Sequence, residues 1–113
     1  MRTLKFTLCL FVAALIATPL AMAQQMYVDV TNRTGFTILM LYVSPSNSSD
    51  WEEDVLGAAG TIAVDETKRI ALEGYSSPYF DLRAVDTDGD SYVRTNVDVS
   101  TTDVVFSLDD LRN

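Results

Sequence analysis

Short segments of alternating apolar and polar residues follow one another along most of the chain, from residue 26 to residue 108. Clusters of turn-forming residues separate them at intervals of about 8–12 residues, a spacing typical of β-sandwiches and barrels. The segments predict strands at 26–30, 36–43, 61–64, 68–72, 79–85, 91–99 and 103–108. We therefore expect an all-β protein, a single antiparallel β-sandwich of six or seven strands, immunoglobulin-like in its general architecture.

Alternation also predicts which side chains face the core, because successive residues of a strand point to opposite faces of a sheet. The expected core residues are Met26, Val28, Val30, Ile70, Leu72, Phe80, Leu82, Ala84, Val93, Val97, Val99, Val104, Phe106 and Leu108. The segment 36–43 differs from the others, since it is apolar at both parities. This pattern predicts a central strand that is covered on both faces or lies close to an interface.

One short helical turn is predicted over residues 50–56. Ser49 and Glu52 have the spacing of a capping box, and Asp50 and Glu53 add negative charge to the first turn. A helix of only one or two turns needs contacts with the rest of the protein in order to form. The prediction therefore depends on apolar residues of the same segment reaching the core.

The N-terminal residues have the pattern of a cleaved secretory signal peptide. Arg2 and Lys5 precede an apolar run, and Ala21-Met22-Ala23 provides the small residues of a cleavage site. We expect removal of residues 1–23, which leaves 24–113 as one periplasmic or secreted domain that does not insert into a membrane. A buried or membrane-anchoring helix is the alternative, but the apolar run is short and no stop-transfer pattern follows it.

The residue types that are missing exclude several kinds of chemistry. The chain has no histidine, and its single cysteine, Cys9, lies in the predicted leader. The mature domain therefore cannot contain a serine–histidine or cysteine–histidine nucleophile, or a zinc site built on thiolate or imidazole. We predict a protein that is not an enzyme and carries no cofactor. A hydrolase that works with paired carboxylates is the alternative from the enzyme class.

The charge of the mature domain is strongly negative. All 16 acidic residues lie after residue 23, whereas Arg2 and Lys5, two of the eight basic residues, lie in the leader. Sixteen acidic residues against the remaining six basic ones give a net charge of −10. Nucleic acid and anionic membrane surfaces would repel such a domain. The charge favours solubility, cation binding or a basic partner.

The acidic turn Asp86-Thr87-Asp88-Gly89-Asp90 has two interpretations. An Asp-Gly pair between two predicted strands is typical of a β-hairpin, and this is the reading we prefer. The alternative is a calcium site in which Asp86, Asp88 and Asp90 supply oxygen ligands. The EF-hand pattern fails, because the glycine is misplaced and Val97 stands at the twelfth position, where a glutamate belongs.

Four aromatic residues, Trp51, Tyr75, Tyr79 and Tyr92, are candidates for a surface that binds sugars or peptides. Large aromatics in a small domain more often belong to the core. Tyr79 is the clearest exception, because its strand face also carries charged residues, and we take Trp51, Tyr79 and Arg83 as the candidate interaction surface. We expect Arg83 to be exposed; on a covered face it would instead hold a carboxylate or a backbone carbonyl.

Three blocks of residues carry a resemblance to known proteins. They are Asn32-x-Thr34-Gly35-x-x-Ile38-x-x-Leu41-Tyr42-x-Ser44-Pro45-Ser46, then Trp51-x-x-Asp54-x-Leu56-Gly57, then Asp81-Leu82-Arg83-x-Val85-Asp86-x-Asp88-Gly89. Together they resemble a group of small exported bacterial β-sandwich proteins of uncharacterised function. Similar sequences have glycine directly after the tryptophan, where this chain has Glu52. The resemblance implies a bacterial envelope or extracellular setting, and it assigns no role to any residue.

These observations predict an exported, non-enzymatic binding module with a protein or glycan partner. The loop at 44–54, long, polar and carrying a tryptophan, is the expected place for a functional surface. A calcium-stabilised extracellular domain is the second hypothesis, and a carboxylate-based hydrolase is the third. The sequence also leaves open the formation of a homodimer through a sheet edge.

Overall fold

A computed structural model describes residues 26–57 and 60–112 of the chain, so the predicted leader lies outside the described residues. The described part contains seven β-strands and one 3₁₀ turn at Leu108–Asp110. The strands are β1 Met26–Arg33, β2 Ile38–Pro45, β3 Thr67–Leu72, β4 Tyr79–Asp86, β5 Ser91–Asp98, β6 Val104–Ser107 and β7 Leu111–Arg112. This composition confirms the predicted all-β fold.

The strands form two sheets that pack as a sandwich. One sheet has the order β3-β1-β6 and the other the order β2-β4-β5-β7. Every pairing is antiparallel except that of β1 with β6, which is parallel. Parallel partners need a long connection, and here it runs through β2 to β5, so no local pattern in the sequence could signal the pairing.

The core lies between the two sheets and is built from the alternating apolar positions of the strands. Most residues predicted to face inward are buried there. The confirmed core residues are Val28, Val30, Ile70, Leu72, Phe80, Leu82, Ala84, Val97, Val99, Val104 and Phe106. Met26 is partly buried and packs against this cluster.

Two of the predicted core positions are wrong. In β5 the register advances by three residues, from Arg94 to Val97, while β4 advances by two, and this extra residue is a β-bulge. The bulge reverses the facing of the first half of β5, so Tyr92 points into the core and Val93 lies on the opposite face. Leu108 is 58% exposed because the chain leaves β6 at Ser107 and enters the 3₁₀ turn.

The segment predicted as a central strand forms β2, which lies at the edge of its sheet. Leu39 on this strand is exposed, contrary to the expectation of cover on both faces. The free edge of β2 is partly closed by the chain that follows it. Ile38 and Ile62 exchange two backbone hydrogen bonds, of 3.0 and 2.9 Å, and the Val55 N–H donates to the Leu41 carbonyl at 2.8 Å. The predicted strand 61–64 is thereby reduced to one isolated bridge.

The helix predicted over 50–56 is absent, and the segment is irregular, with an isolated bridge at Asp54 and a turn at residues 55–56. Hydrogen bonds to β2 and to the side chain of Asp54 hold it. Asp54 Oδ1 accepts the N–H groups of Leu41, at 2.9 Å, and Leu56, at 3.0 Å, and Ser44 Oγ accepts the N–H of Glu52 at 2.7 Å. A seven-residue helix is too short to compete with these tertiary contacts.

A buried asparagine ties the turn after β1 to the segment that covers β2. The side chain of Asn32 is fully buried and donates to the carbonyls of Phe36, at 2.8 Å, and Ile62, at 2.9 Å. Its Oδ1 accepts the N–H of Thr34 at 3.0 Å and the hydroxyl of Thr34 at 2.7 Å. Every polar atom of the Asn32 amide is therefore engaged, as burial requires.

Candidate functional site

The acidic turn joins β4 to β5 as a hairpin, and Asp86 is its structural centre. Asp86 is only 1% exposed. Its Oδ1 accepts the backbone N–H groups of Asp88, at 2.8 Å, and Asp90, at 3.0 Å, and its Oδ2 accepts the Tyr92 hydroxyl at 2.7 Å. Gly89 has a φ of +84°, a conformation that glycine adopts without strain.

The hydrogen bonds around Asp86 also control the protonation of both partners. Burial by itself raises the pKa of Asp86, but the bonds from Tyr92 and from the turn N–H groups outweigh it, so the pKa lies below its ordinary value. Burial and the bond to Asp86 raise the pKa of Tyr92 to about 12. Asp86 is thus ionised and Tyr92 protonated at neutral pH.

The calcium hypothesis for Asp86, Asp88 and Asp90 finds no support in this geometry. The Asp86 carboxylate faces the interior and is occupied by the turn itself, whereas Asp88 is exposed. Within residues 26–57 and 60–112, no group of three or more acidic, histidine or cysteine side chains could hold a metal ion. The three carboxylates share one turn without converging on one point.

The candidate interaction residues lie on the outer face, by which we mean the face of the four-stranded sheet turned away from the core. Neighbouring strands place their side chains in rows across this face. In the order in which they follow along β4, the rows are Tyr79 with Asp98, Asp81 with Ser44, Arg83 with Tyr42 and Val93, and Val85 with Met40 and Ser91.

A small hollow opens on the outer face between β4 and the loop after β2. Its volume is about 130 Å³. The described residues that line it are Ser44, Ser48, Ser49, Asp50, Trp51 and Asp81. Trp51 is 40% exposed, and Tyr79, the outward residue before Asp81 on β4, is 45% exposed. The structure therefore brings two of the three predicted interaction residues to the neighbourhood of one polar hollow.

Asp81 is held firmly at the wall of this hollow. Its Oδ1 accepts the Ser46 hydroxyl at 2.8 Å and the Asn96 N–H at 2.8 Å. Asn96 has a φ of +53° and lies in the β5 bulge, which turns this N–H toward Asp81. Among the described residues, Asp81 Oδ2 has no hydrogen-bond partner. One carboxylate oxygen is fixed and the other is available to a ligand.

Arg83 is half-buried, between the exposed and covered states that the sequence left open. Its guanidinium carbon lies 5.6 Å from the centre of the Tyr42 ring, and its Nη2 donates to Ser91 Oγ at 3.3 Å. Arg83 takes part in no ion pair with any carboxylate of the described chain, Asp81 included. Its guanidinium reaches toward Ser91, in the row on the far side from Asp81.

Of the four candidate aromatic residues, two pack against the core and two are exposed. Tyr92 is buried in the core. Tyr75 packs edge-on against Phe80, with ring centres 5.0 Å apart, and donates its hydroxyl to Glu52. Both are structural, whereas Trp51 and Tyr79 remain exposed. The loop at 44–54, which the sequence predicts as the functional surface, brings Ser44 and Trp51 to this hollow. That Asp81 lines the same hollow is not predicted, because it depends on how this loop packs beside β4.

A wider hollow of about 580 Å³ lies at the start of β1. The described residues around it are Met26, Tyr27, Pro78, Val99, Ser100, Thr101, Thr102 and Asp103. It adjoins residue 26, the first described residue, and Tyr27 is itself covered by the Arg69 guanidinium at 3.9 Å. Its only charged lining group among these residues is Asp103, so it offers little chemistry for recognition.

Comparison of the chain with protein-family models, with curated proteins and with solved structures found no match. In the described part of the chain, no helix is long and apolar enough to cross a membrane.

Proposed function

We propose that the protein is an exported, non-enzymatic binding module that holds a protein partner on its outer face, around the hollow beside Trp51. One observation carries the proposal: the exposed Trp51 lines one hollow with Asp81, and the exposed Tyr79 is the outward residue before Asp81 on β4. Two hydrogen bonds fix Asp81 Oδ1, and no group of the described residues donates to Oδ2. Aromatic side chains next to well-held polar groups are typical of the residues that dominate binding energy at protein interfaces.

The rigidity of the surroundings supports this function. Asp81 and Ser44 lie on strands, and the hydrogen bonds of Ser46 and Asn96 fix the Asp81 carboxylate before any partner arrives. A preorganised surface loses less conformational entropy on binding than a mobile one. Export is proposed from the leader pattern at 1–23 and from the resemblance to exported bacterial proteins.

The test uses the protein purified after export from a bacterial host. Labelled protein is applied to a peptide array and to a glycan array, and the strongest ligand is then measured against variants. We expect Trp51→Ala and Tyr79→Ala each to weaken binding by about tenfold or more, as truncation of a central aromatic does.

Tyr27→Ala is the matched control, because Tyr27 is 42% exposed, like Tyr79, but lies on the three-stranded sheet. It should leave binding unchanged. A protein with no ligand on either array, or one in which Tyr27→Ala is as harmful as Tyr79→Ala, would contradict the proposal. A glycan ligand that depends on Trp51 would keep the binding function and replace the proposed class of partner.

A further inference from the structure

We infer that the hollow beside Trp51 receives a basic side chain, arginine or lysine, from the partner protein. This inference rests on the proposed binding function and adds the chemistry of the group that is recognised. It combines four observations: the size of the hollow, its aromatic wall, its carboxylates, and the charge of the chain around it.

The size of the hollow restricts what can enter. Its volume of about 130 Å³ is well below the roughly 300–1,000 Å³ of pockets that enclose a cofactor or a drug-sized ligand. A single side chain inserted from a partner's surface is of the right scale. Such an inserted anchor is a common feature of protein interfaces.

The lining groups favour a cation. Trp51 lines the hollow and is 40% exposed, and indole is the best of the aromatic partners for an ammonium or guanidinium group. Asp81 Oδ2 and the carboxylate of Asp50 provide negative charge, and neither group has a hydrogen-bond partner among the described residues. Ser44, Ser48 and Ser49 complete the lining. Charge-assisted hydrogen bonds to a carboxylate are the stronger kind.

The charge around the hollow points the same way. No described residue that lines it is basic. The loop segment 50–54 contains four acidic residues and no basic one, in a mature domain with a net charge of −10. Arg83, the nearest cation along β4, directs its guanidinium to Ser91, on the side away from Asp81. Oppositely charged surfaces attract, so a basic partner is steered to this face and an anionic ligand is repelled.

The chain contains one tryptophan, so fluorescence excited at the long-wavelength edge, where its five tyrosines do not absorb, reports on Trp51 alone. The probes are the peptides acetyl-Gly-Arg-Gly-amide and acetyl-Gly-Lys-Gly-amide, titrated into the exported protein at low salt. The control probe contains citrulline, which has the shape of arginine without its charge. We expect a saturable fluorescence change with the basic peptides and binding at least about tenfold weaker with the citrulline peptide.

The decisive variant is Asp81→Asn. The asparagine oxygen still accepts the Ser46 hydroxyl and the Asn96 N–H, so the wall of the hollow is retained while its charge is lost. We expect about tenfold weaker binding of the arginine peptide. Asp109→Asn is the matched control, since Asp109 is an exposed acid in the 3₁₀ turn, away from the hollow. It should change binding by less than about twofold.

Should Asp81→Asn alter the thermal midpoint, Asp50→Asn replaces it, because Asp50 is exposed and its carboxylate supports no other described residue. Equal binding of the arginine and citrulline peptides, or an effect of Asp109→Asn as large as that of Asp81→Asn, would overturn the inference. If the arrays gave an uncharged ligand whose binding is lost in Trp51→Ala, the inference of a basic side chain would be wrong, whereas the proposed binding function would stand. If no ligand depended on Trp51, both the inferred basic side chain and the proposed binding function would be contradicted.

Discussion

Asp81 and Asp86 lie five positions apart on β4, and they differ in burial and in the number of hydrogen bonds that their carboxylates accept. An odd separation puts them on opposite faces of the sheet. Asp86 points inward, is almost completely buried, and has both carboxylate oxygens occupied by three donors. Asp81 points outward and is half-buried, and in the described part of the chain only its Oδ1 accepts hydrogen bonds.

The difference separates a structural carboxylate from one that can bind a ligand. A buried charge destabilises a fold unless hydrogen bonds replace its hydration, and Asp86 has that replacement in full. Asp81 keeps access to solvent, so its free oxygen costs the fold little. The acidic turn at 86–90, which the sequence offers as a candidate calcium site, therefore organises the hairpin. The aspartate that the sequence did not single out as a ligand is the better candidate for one.

Asp86→Ala is the substitution with the largest expected effect. It leaves the buried Tyr92 hydroxyl and two part-buried backbone N–H groups without their acceptor, and a buried donor left unsatisfied costs about 1–3 kcal/mol. We expect the free energy of unfolding to fall by about 3–5 kcal/mol in urea denaturation. Asp81→Ala is the comparison and should cost less than half as much. Equal losses would mean that the two carboxylates are not different in kind.

Tyr92→Phe tests the same network from its other side. The substitution keeps the ring in the core but removes the hydroxyl that donates to Asp86 Oδ2. A hydrogen bond to a charged group contributes about 1.5–3 kcal/mol, so we expect a loss in that range in urea denaturation. Tyr79→Phe serves as the control, because Tyr79 is exposed and its hydroxyl bonds no described residue; it should leave stability unchanged.

The pKa of Asp86 predicts how stability depends on pH. Because hydrogen bonds hold the folded pKa below its unfolded value, the unfolded chain takes up the proton first as the pH falls. The stabilisation is complete above about pH 4–5 and is lost as the pH falls through the folded pKa. Asp86→Asn should flatten the decline of the thermal midpoint below pH 4.

Asp29 provides the control for this acid dependence. Its pKa is also lowered, chiefly by the hydrogen bonds from Arg69, but this ion pair lies on the surface. Exposed pairs contribute little to stability. Asp29→Asn should therefore leave most of the acid dependence in place. If the thermal midpoint of Asp29→Asn declined less with falling pH than that of Asp86→Asn, the acid dependence would belong to Asp29 and not to Asp86.

Calcium should have the smallest effect. With Asp86 committed to the turn, we expect the same thermal midpoint in EDTA and in millimolar calcium. An ion present at a hundred times its Kd would add about 2.7 kcal/mol, enough to move the midpoint of a domain this size by about ten degrees or more. A shift of that size, abolished by Asp88→Asn, would restore the calcium hypothesis.

Local patterns were sufficient where one segment decides its own conformation. Alternation placed Phe80, Leu82 and Ala84 in the core, and the Asp88–Gly89 pair closed the predicted hairpin. The same reasoning failed at residues 50–56, where a capping-box spacing favoured a helix. There the partners that decide the outcome, such as the N–H of Leu41, lie outside the segment.

The candidate site was predictable only in part for the same reason. Trp51 and Tyr79 could be chosen by type, as large aromatics near polar residues. Alternation along β4 already places Tyr79 and Asp81 on one face. The approach of Trp51 to Asp81 depends on the loop after β2, and the fixed position of the Asp81 carboxylate depends on the β5 bulge that supplies the Asn96 N–H. Asp81 and Asn96 are fifteen residues apart, and the apolar Val93 fits an uninterrupted alternation with Val97, so the sequence does not locate the bulge.

The sequence by itself determined the fold class, the facing of most strands and the absence of histidine and cysteine side chains from the described residues. These depend on the period of apolar residues and on residue types, which any segment carries alone. The tertiary structure decided which strands are neighbours and that β1 and β6 run parallel. It also decided that Asp86 is enclosed by its hairpin, whereas Asp81 lines a hollow at the surface. These depend on contacts between distant segments, because a side chain's surroundings come from the strands and loops that pack beside it.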